Sequence, residues 1–126
     1  MTGTHTNPYR ILIVDDEAAI CELLAEILKS PTRSIEVRDT ARGALEFIAQ
    51  NPVDLAFLDI NIPGMSGLEL ADHVRRANPH ARIVICTGYF GEDIEEQARD
   101  AHADRIIHKP LDFGEVLQVA ETYTTK

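Results

Sequence analysis

Two adjacent carboxylates, Asp15 and Asp16, close the aliphatic run "ILIV" at Ile11–Val14. A third, Asp59, ends "LAFLD"; a hydroxyl, Thr87, ends "RIVICT"; an amine, Lys109, ends "RIIHK" and precedes Pro110. Carboxylates held close together raise one another's pKa. A hard divalent cation relieves that repulsion, because Mg2+ takes oxygen ligands and keeps several waters. The Lys109 ammonium adds a further positive charge. Three negative groups set against Mg2+ and a lysine leave a site near neutrality, suited to an incoming phosphoryl group, to which Thr87 offers a hydroxyl.

Each residue also has an ordinary role. Asp16 and Glu17 suit a helix N-terminus. Asp59 suits the turn before "NIPG". Thr87 suits a buried strand as a β-branched residue, and Lys109 suits a solvated strand end. The functional reading rests on all of them meeting at one rim, so the elements that carry them decide the matter.

Those elements alternate. A strand at Ile11–Val14 leads to a helix with Ile20, Leu23, Leu24, Ile27 and Leu28 on one face. Pro31 stops it. "SIEVR" alternates like a half-buried edge strand. A second helix turns Ala44, Leu45 and Ile48 inward, and "NPVD" breaks it. "LAFLD" reads as a strand buried on both faces, and "NIPGMSG" as a loop. A third helix carries Leu70, Ala71 and Val74 and ends at Asn78-Pro79. "RIVICT" is a fourth strand, followed by a helix with a thin apolar face of Ile94, Ala98 and Ala101. "RIIHK" is a fifth strand, and Phe113, Val116, Leu117 and Ala120 mark a last helix.

Strands alternating with helices predict an α/β fold with a parallel sheet covered on both faces. Five such units with short connections fit a flavodoxin-like (βα)5 doubly wound sheet of strand order 2-1-3-4-5, whose ligand site lies at the carboxyl ends of the strands. Every residue of the proposed site sits at such an end.

Composition narrows the function. At 126 residues the chain is one domain in size, with 44% hydrophobic residues and a formal net charge of -9. No Lys/Arg cluster is visible, which argues against direct nucleic-acid binding. No apolar run reaches the ~18–20 residues of a membrane helix. The first residues, "MTGTHTNPYR", lack a signal-peptide core. Residues 1–9 read as a disordered polar lead and 10–126 as the domain. Cys21 and Cys86 lie in apolar stretches and read as buried thiols. A cytoplasmic protein is expected. No G-x-G-x-x-G follows the first strand and no P-loop motif occurs, so dinucleotide and P-loop nucleotide sites lack support. The histidines His5, His73, His80, His102 and His108 have no metal-ligand spacing.

The set "ILIVDDE", "LAFLDINIPGMSGLEL", "IVICTG" and "HKPLD", in that order, resembles the receiver domain of two-component response regulators. The resemblance spans Ile11 to about Tyr123. It implies that Asp59 is the phosphoacceptor, taking its phosphoryl group from a sensor histidine kinase or a histidine phosphotransfer protein. It implies that Asp16, Asp59 and the backbone carbonyl of Asn61 bind Mg2+ (with Mn2+ as an alternative), and that Asp15 acts through a metal-bound water. Lys109 then pairs with the phosphoryl oxygens, Thr87 closes on the phosphoryl group, and the Lys109–Pro110 peptide is cis. The module catalyses only its own phosphoryl transfer and dephosphorylation. It controls downstream proteins by docking, as a monomer or a phosphorylation-dependent homodimer. The chain ends at "YTTK", as a free-standing receiver or as a piece of a longer protein, and Met1 favours the first.

Three positions depart from the pattern. Ile106 stands where an aromatic residue usually partners the threonine, Ser66 where many members have Asp, and Gly88 where Ala or Ser is frequent. Ile106 cannot copy the usual rotamer exchange, so Thr87 and the loop "GYFGED", which holds Tyr89 and Phe90, are expected to carry the switch. Gly88 and Gly91 are either turn glycines or hinges of a moving loop. Two other functions compete: an aspartyl phosphohydrolase or phosphotransferase, which usually carries D-x-D at its first strand rather than adjacent acids, and a degenerate receiver acting only as a scaffold, which Ile106 favours and the retention of Asp15, Asp16, Asp59, Thr87 and Lys109 opposes.

Overall fold

The computed structural model describes residues 8–124. Most of the polar lead expected over residues 1–9, namely residues 1–7, lies outside the described residues. Five parallel strands form one sheet: β1 (Tyr9–Val14), β2 (Arg33–Arg38), β3 (Leu55–Asp59), β4 (Arg82–Thr87) and β5 (Arg105–His108). Their order is β2-β1-β3-β4-β5, as expected from the alternation of elements. The crossovers are α1 (Ala18–Leu28), α2 (Ala41–Gln50), α3 (Gly67–Ala77) and α4 (Glu92–Asp100), and α5 (Phe113–Thr124) ends the fold.

The sheet separates two cores. One joins Leu12, Val14, Ala56, Leu58, Ile83 and Ile85 to the inward faces of α2, α3 and α4. The other joins Ile11, Ile13, Phe57, Val84 and Ile107 to α1 and α5. β3 is buried along its whole length because strands flank it and helices cover both faces. β2 is an edge strand and mostly half-buried. Cys21 and Cys86 are free, buried thiols.

Three expectations are corrected. Phe113 does not enter the core: it starts α5 and is 60% exposed, while Val119 takes the inward place beside Val116 and Ala120. Leu23 is likewise exposed, since the inward face of α1 is Cys21, Leu24, Ile27 and Leu28. "NIPGMSG" is not a plain loop. Asn61–Ile62 and Met65–Ser66 pair antiparallel as a small hairpin, turned at Gly64 with φ of +103°. That backbone region favours glycine.

Candidate functional site

The carboxyl ends of β1, β3, β4 and β5 open on one rim, and each carries a site residue. Asp15 and Asp59 are buried, Asp16 is exposed, and Thr87 is fully buried. One carboxylate oxygen from each of Asp15, Asp16 and Asp59 lies within 4.8 Å of the others. The acids predicted to converge do so.

Asp15 is held at both oxygens. Its Oδ1 accepts the Glu17 amide hydrogen at 2.9 Å, and its Oδ2 accepts from Lys109 Nζ at 2.9 Å. Lys109 Nζ also lies 3.3 Å from Asp59 Oδ1 and 3.3 Å from Glu17 Oε1. Burial opposes the ammonium charge, but the hydrogen bond to Asp15, the charges of Asp15 and Asp59 and the bond to Glu17 outweigh it. The Lys109 pKa is raised and the side chain is firmly protonated. Burial pushes the Asp59 carboxyl above its usual range and the Asp15 charge adds to this. Lys109 and the Asn61 amide pull the other way without cancelling it. The Asp59 charge is therefore incompletely compensated, within the cluster formed with Asp15 and Asp16.

Local structure places Asp59. α3 begins directly beside the end of β3, and the Gly67 amide donates to Ile60 O at 2.9 Å. A Cβ at Gly67 would collide with the Asp59 carbonyl oxygen, so only glycine allows this approach. Ser66 caps α3: its Oγ accepts from the Leu68 amide, and the Glu69 side chain accepts from the Ser66 amide. The S-x-x-E spacing at 66–69 was the signal for this role.

The loop after β4 crosses the rim. Thr87 Oγ1 accepts the Tyr89 amide hydrogen at 2.9 Å, and the Tyr89 hydroxyl accepts from Asn61 Nδ2 at 3.2 Å. The Phe90 ring stacks on His108 with centroids 4.2 Å apart and planes 5° from parallel. His108 lies on the α4 side of β5, on the same face as Ile106, which packs against the core there. The Lys109–Pro110 peptide is cis, as the resemblance implied.

The sequence model of the response regulator receiver domain matches residues 11–121. The chain belongs to this family. The receiver is 34% identical over 116 residues to the response regulator protein PilR of Pseudomonas aeruginosa, covering 90% of this chain and 25% of PilR. It is 30% identical over 116 residues to sporulation initiation phosphotransferase F of Bacillus subtilis, covering 90% of this chain and 92% of that protein. Among solved structures, a CheY-like receiver domain protein from Methanospirillum hungatei superposes with a TM-score of 0.84 at 31% identity, covering 91% of this chain and 92% of the other. The receiver thus spans a quarter of one such relative and nearly all of another. As a receiver domain it is a two-component signalling module whose state is set by phosphorylation.

The acidic cluster suits Mg2+. Its donors are hard carboxylate oxygens, close enough to share one ion, with Asp16 open to solvent to keep bound waters. Sequence reasoning missed two residues of this receiver's site. Glu17, read only as a helix-start acid, is a third partner of Lys109. The Asn61 side chain, as distinct from its carbonyl, tethers Tyr89. No sequence pattern marks either contact, because each depends on a loop conformation. Among the described residues no helix is long and apolar enough to cross a membrane.

Proposed function

We propose that this receiver takes a phosphoryl group onto Asp59 from the phosphohistidine of a sensor histidine kinase or a histidine phosphotransfer protein, and that the modified form controls partner proteins by docking. The observation that carries this reading is the position of Lys109 Nζ, 2.9 Å from Asp15 and 3.3 Å from Asp59. A cation fixed between a buried anchor and a carboxylate with a raised pKa suits charge that accumulates on phosphoryl oxygens.

An Asp59 carboxylate oxygen attacks phosphorus in line with the P–N bond. That bond breaks, and its electron pair returns to the imidazole nitrogen. Lys109 turns from Asp59 towards the new phosphoryl oxygens while Asp15 keeps it in place. Asp16, Asp59 and the backbone carbonyl of Asn61 would hold Mg2+ or Mn2+, with Asp15 acting through a water. When bound, the ion supplies positive charge against the carboxylates and the phosphoryl oxygens. The Thr87 hydroxyl gives up the Tyr89 amide and donates its own hydrogen to the phosphoryl group, and the loop follows. The name of the Bacillus subtilis relative, a phosphotransferase, supports the same chemistry.

Beryllofluoride, which mimics the phosphoryl group, provides the test. The amide NMR shifts that beryllofluoride adds at Asp59, Thr87 and Tyr89 should require Mg2+ and be absent from Asp59→Asn. Equal shifts in Asp59→Asn, or shifts without any divalent ion, would contradict the proposal.

A further inference from the structure

A groove of about 630 Å³ lies between the hairpin–α3 segment and the start of α4, beside the acidic rim, with which it shares Asn61 and Tyr89. Ile60, Met65 and Leu68 line it from one side, and Phe90, Asp93 and Ile94 from the other. Phe90 is 73% exposed although it is a large apolar ring. Its stack on His108 covers one face and fixes its direction. A fixed, exposed aromatic beside a pliable methionine is the composition of a docking groove.

Charge names the occupant. The groove lining contains Asp93 and no Lys, Arg or His. Four of the five residues from Glu92 to Glu96 are acidic, and all four are exposed on α4. The dipole of α4 suits acids in its first turn. It does not account for an aromatic-rimmed apolar groove beside them. A second copy of this chain, at a formal charge of -9, would bring acid against acid.

We infer that this groove receives a cationic amphipathic segment of a partner protein, with apolar side chains in the groove and Lys or Arg side chains over α4. The mode is helix-in-groove recognition, in which apolar side chains spaced three and four residues apart act as anchors. The inference deepens the docking part of the proposed function. Its test uses unmodified protein, so its failure is distinguishable from failure of Asp59 phosphorylation.

The probe is a synthetic amphipathic helix of leucine and lysine, and the control is the same helix with glutamate for lysine. Both are titrated into the full chain and followed by amide NMR. The leucine–lysine helix should shift Met65, Leu68, Phe90 and Ile94, and the leucine–glutamate helix should not. Asp93→Lys should weaken binding about ten-fold, as expected when a like charge is placed at an interface. Phe90→Ala should weaken it by a similar factor, and its exposure leaves the fold intact. Glu26→Lys on α1 makes the same change in net charge away from the groove and should leave affinity unchanged. The inference is overturned by no binding, by shifts spread over other acidic faces, by equal loss in Asp93→Lys and Glu26→Lys, or by binding of the glutamate helix. Concentration-dependent shifts of the same amides without peptide would also overturn it, assigning the groove to self-association.

Discussion

Lys109 Nζ and Asp15 Oδ2 meet at 2.9 Å although 94 residues separate them in sequence. Only 3% of the Asp15 side chain and 17% of the Lys109 side chain are exposed, so the pair is held away from most of the solvent. Asp59, 3.3 Å from the same ammonium, is the second claimant to its charge. The site therefore has one well-paired acid, one poorly compensated acid and one acid in water, Asp16.

Charge removal should separate these three. In metal-free buffer Asp59→Asn should raise stability by about 1 kcal/mol, roughly 4 °C in Tm. Asp15→Asn should lower it by about 1–3 kcal/mol, because Lys109 loses its shortest hydrogen bond while keeping Asp59 and Glu17 nearby. Asp16→Asn should change it by less than about 0.5 kcal/mol, as for an exposed surface residue. Urea melts in a chelator test the ranking. Asp16→Asn as the most stabilising variant would show the strain to be on the wrong residue.

The pH dependence follows with a definite sign. The folded-state pKa of Asp59 is raised, so the native protein holds that proton more tightly than the unfolded chain. The stabilising contribution is full below the unfolded carboxylate pKa and is lost as pH rises through the folded one. The stability advantage of Asp59→Asn over wild type should shrink as metal-free buffer is acidified from neutrality. An advantage that grows on acidification would reverse the assignment.

The tether between Tyr89 and Asn61 should slow loss of the phosphoryl group, since it holds the ring beside the acidic rim. Tyr89→Ala should shorten the lifetime of the phosphorylated form several-fold. Tyr89→Phe, which keeps the ring and loses the bond, should fall between. Phosphate-affinity gels over time give the rates. Identical lifetimes in all three proteins would remove Tyr89 from this role.

Much of this was legible in the sequence. The strand ends and their order follow from hydrophobic period and βα alternation, which put Asp15, Asp16, Asp59, Thr87 and Lys109 on one rim. What escaped depends on contacts between loops. Glu17 reaches Lys109 because the chain bends after β1, and Asn61 meets Tyr89 across two connections. Phe113 matched the helix period but sits in the first turn of α5, beyond the reach of the core. The Phe90–His108 stack has no sequence signature, because it depends on the course of the loop after β4 and not on the spacing of the two residues.

Signal transmission should run through the loop after β4. Ile106 is β-branched and stiff at χ1, has no hydroxyl and packs on the α4-side core. Large NMR changes on adding beryllofluoride and Mg2+ should extend from Thr87 through α4 and include the His108 ring under Phe90. Thr87→Ala should abolish most of the distal changes. Distal changes that survive Thr87→Ala would mean that another route carries the signal.

Cys86 should resist alkylation in the native protein. Burial pushes its thiol up to about 12, so almost no thiolate exists at neutral pH. Intact-mass analysis after iodoacetamide should show no adduct at Cys86 until urea is added. Rapid native labelling there would reveal opening of β4.

The most direct test of the central claim is to find the acyl phosphate chemically. The protein is treated with acetyl phosphate and Mg2+, then reduced with borohydride, which converts a phosphorylated aspartate to homoserine, and the peptides are sequenced by mass spectrometry. The account predicts homoserine at position 59 alone, and none when Mg2+ is chelated. Homoserine at position 15 or 16, or none at all with Mg2+ present, would contradict it.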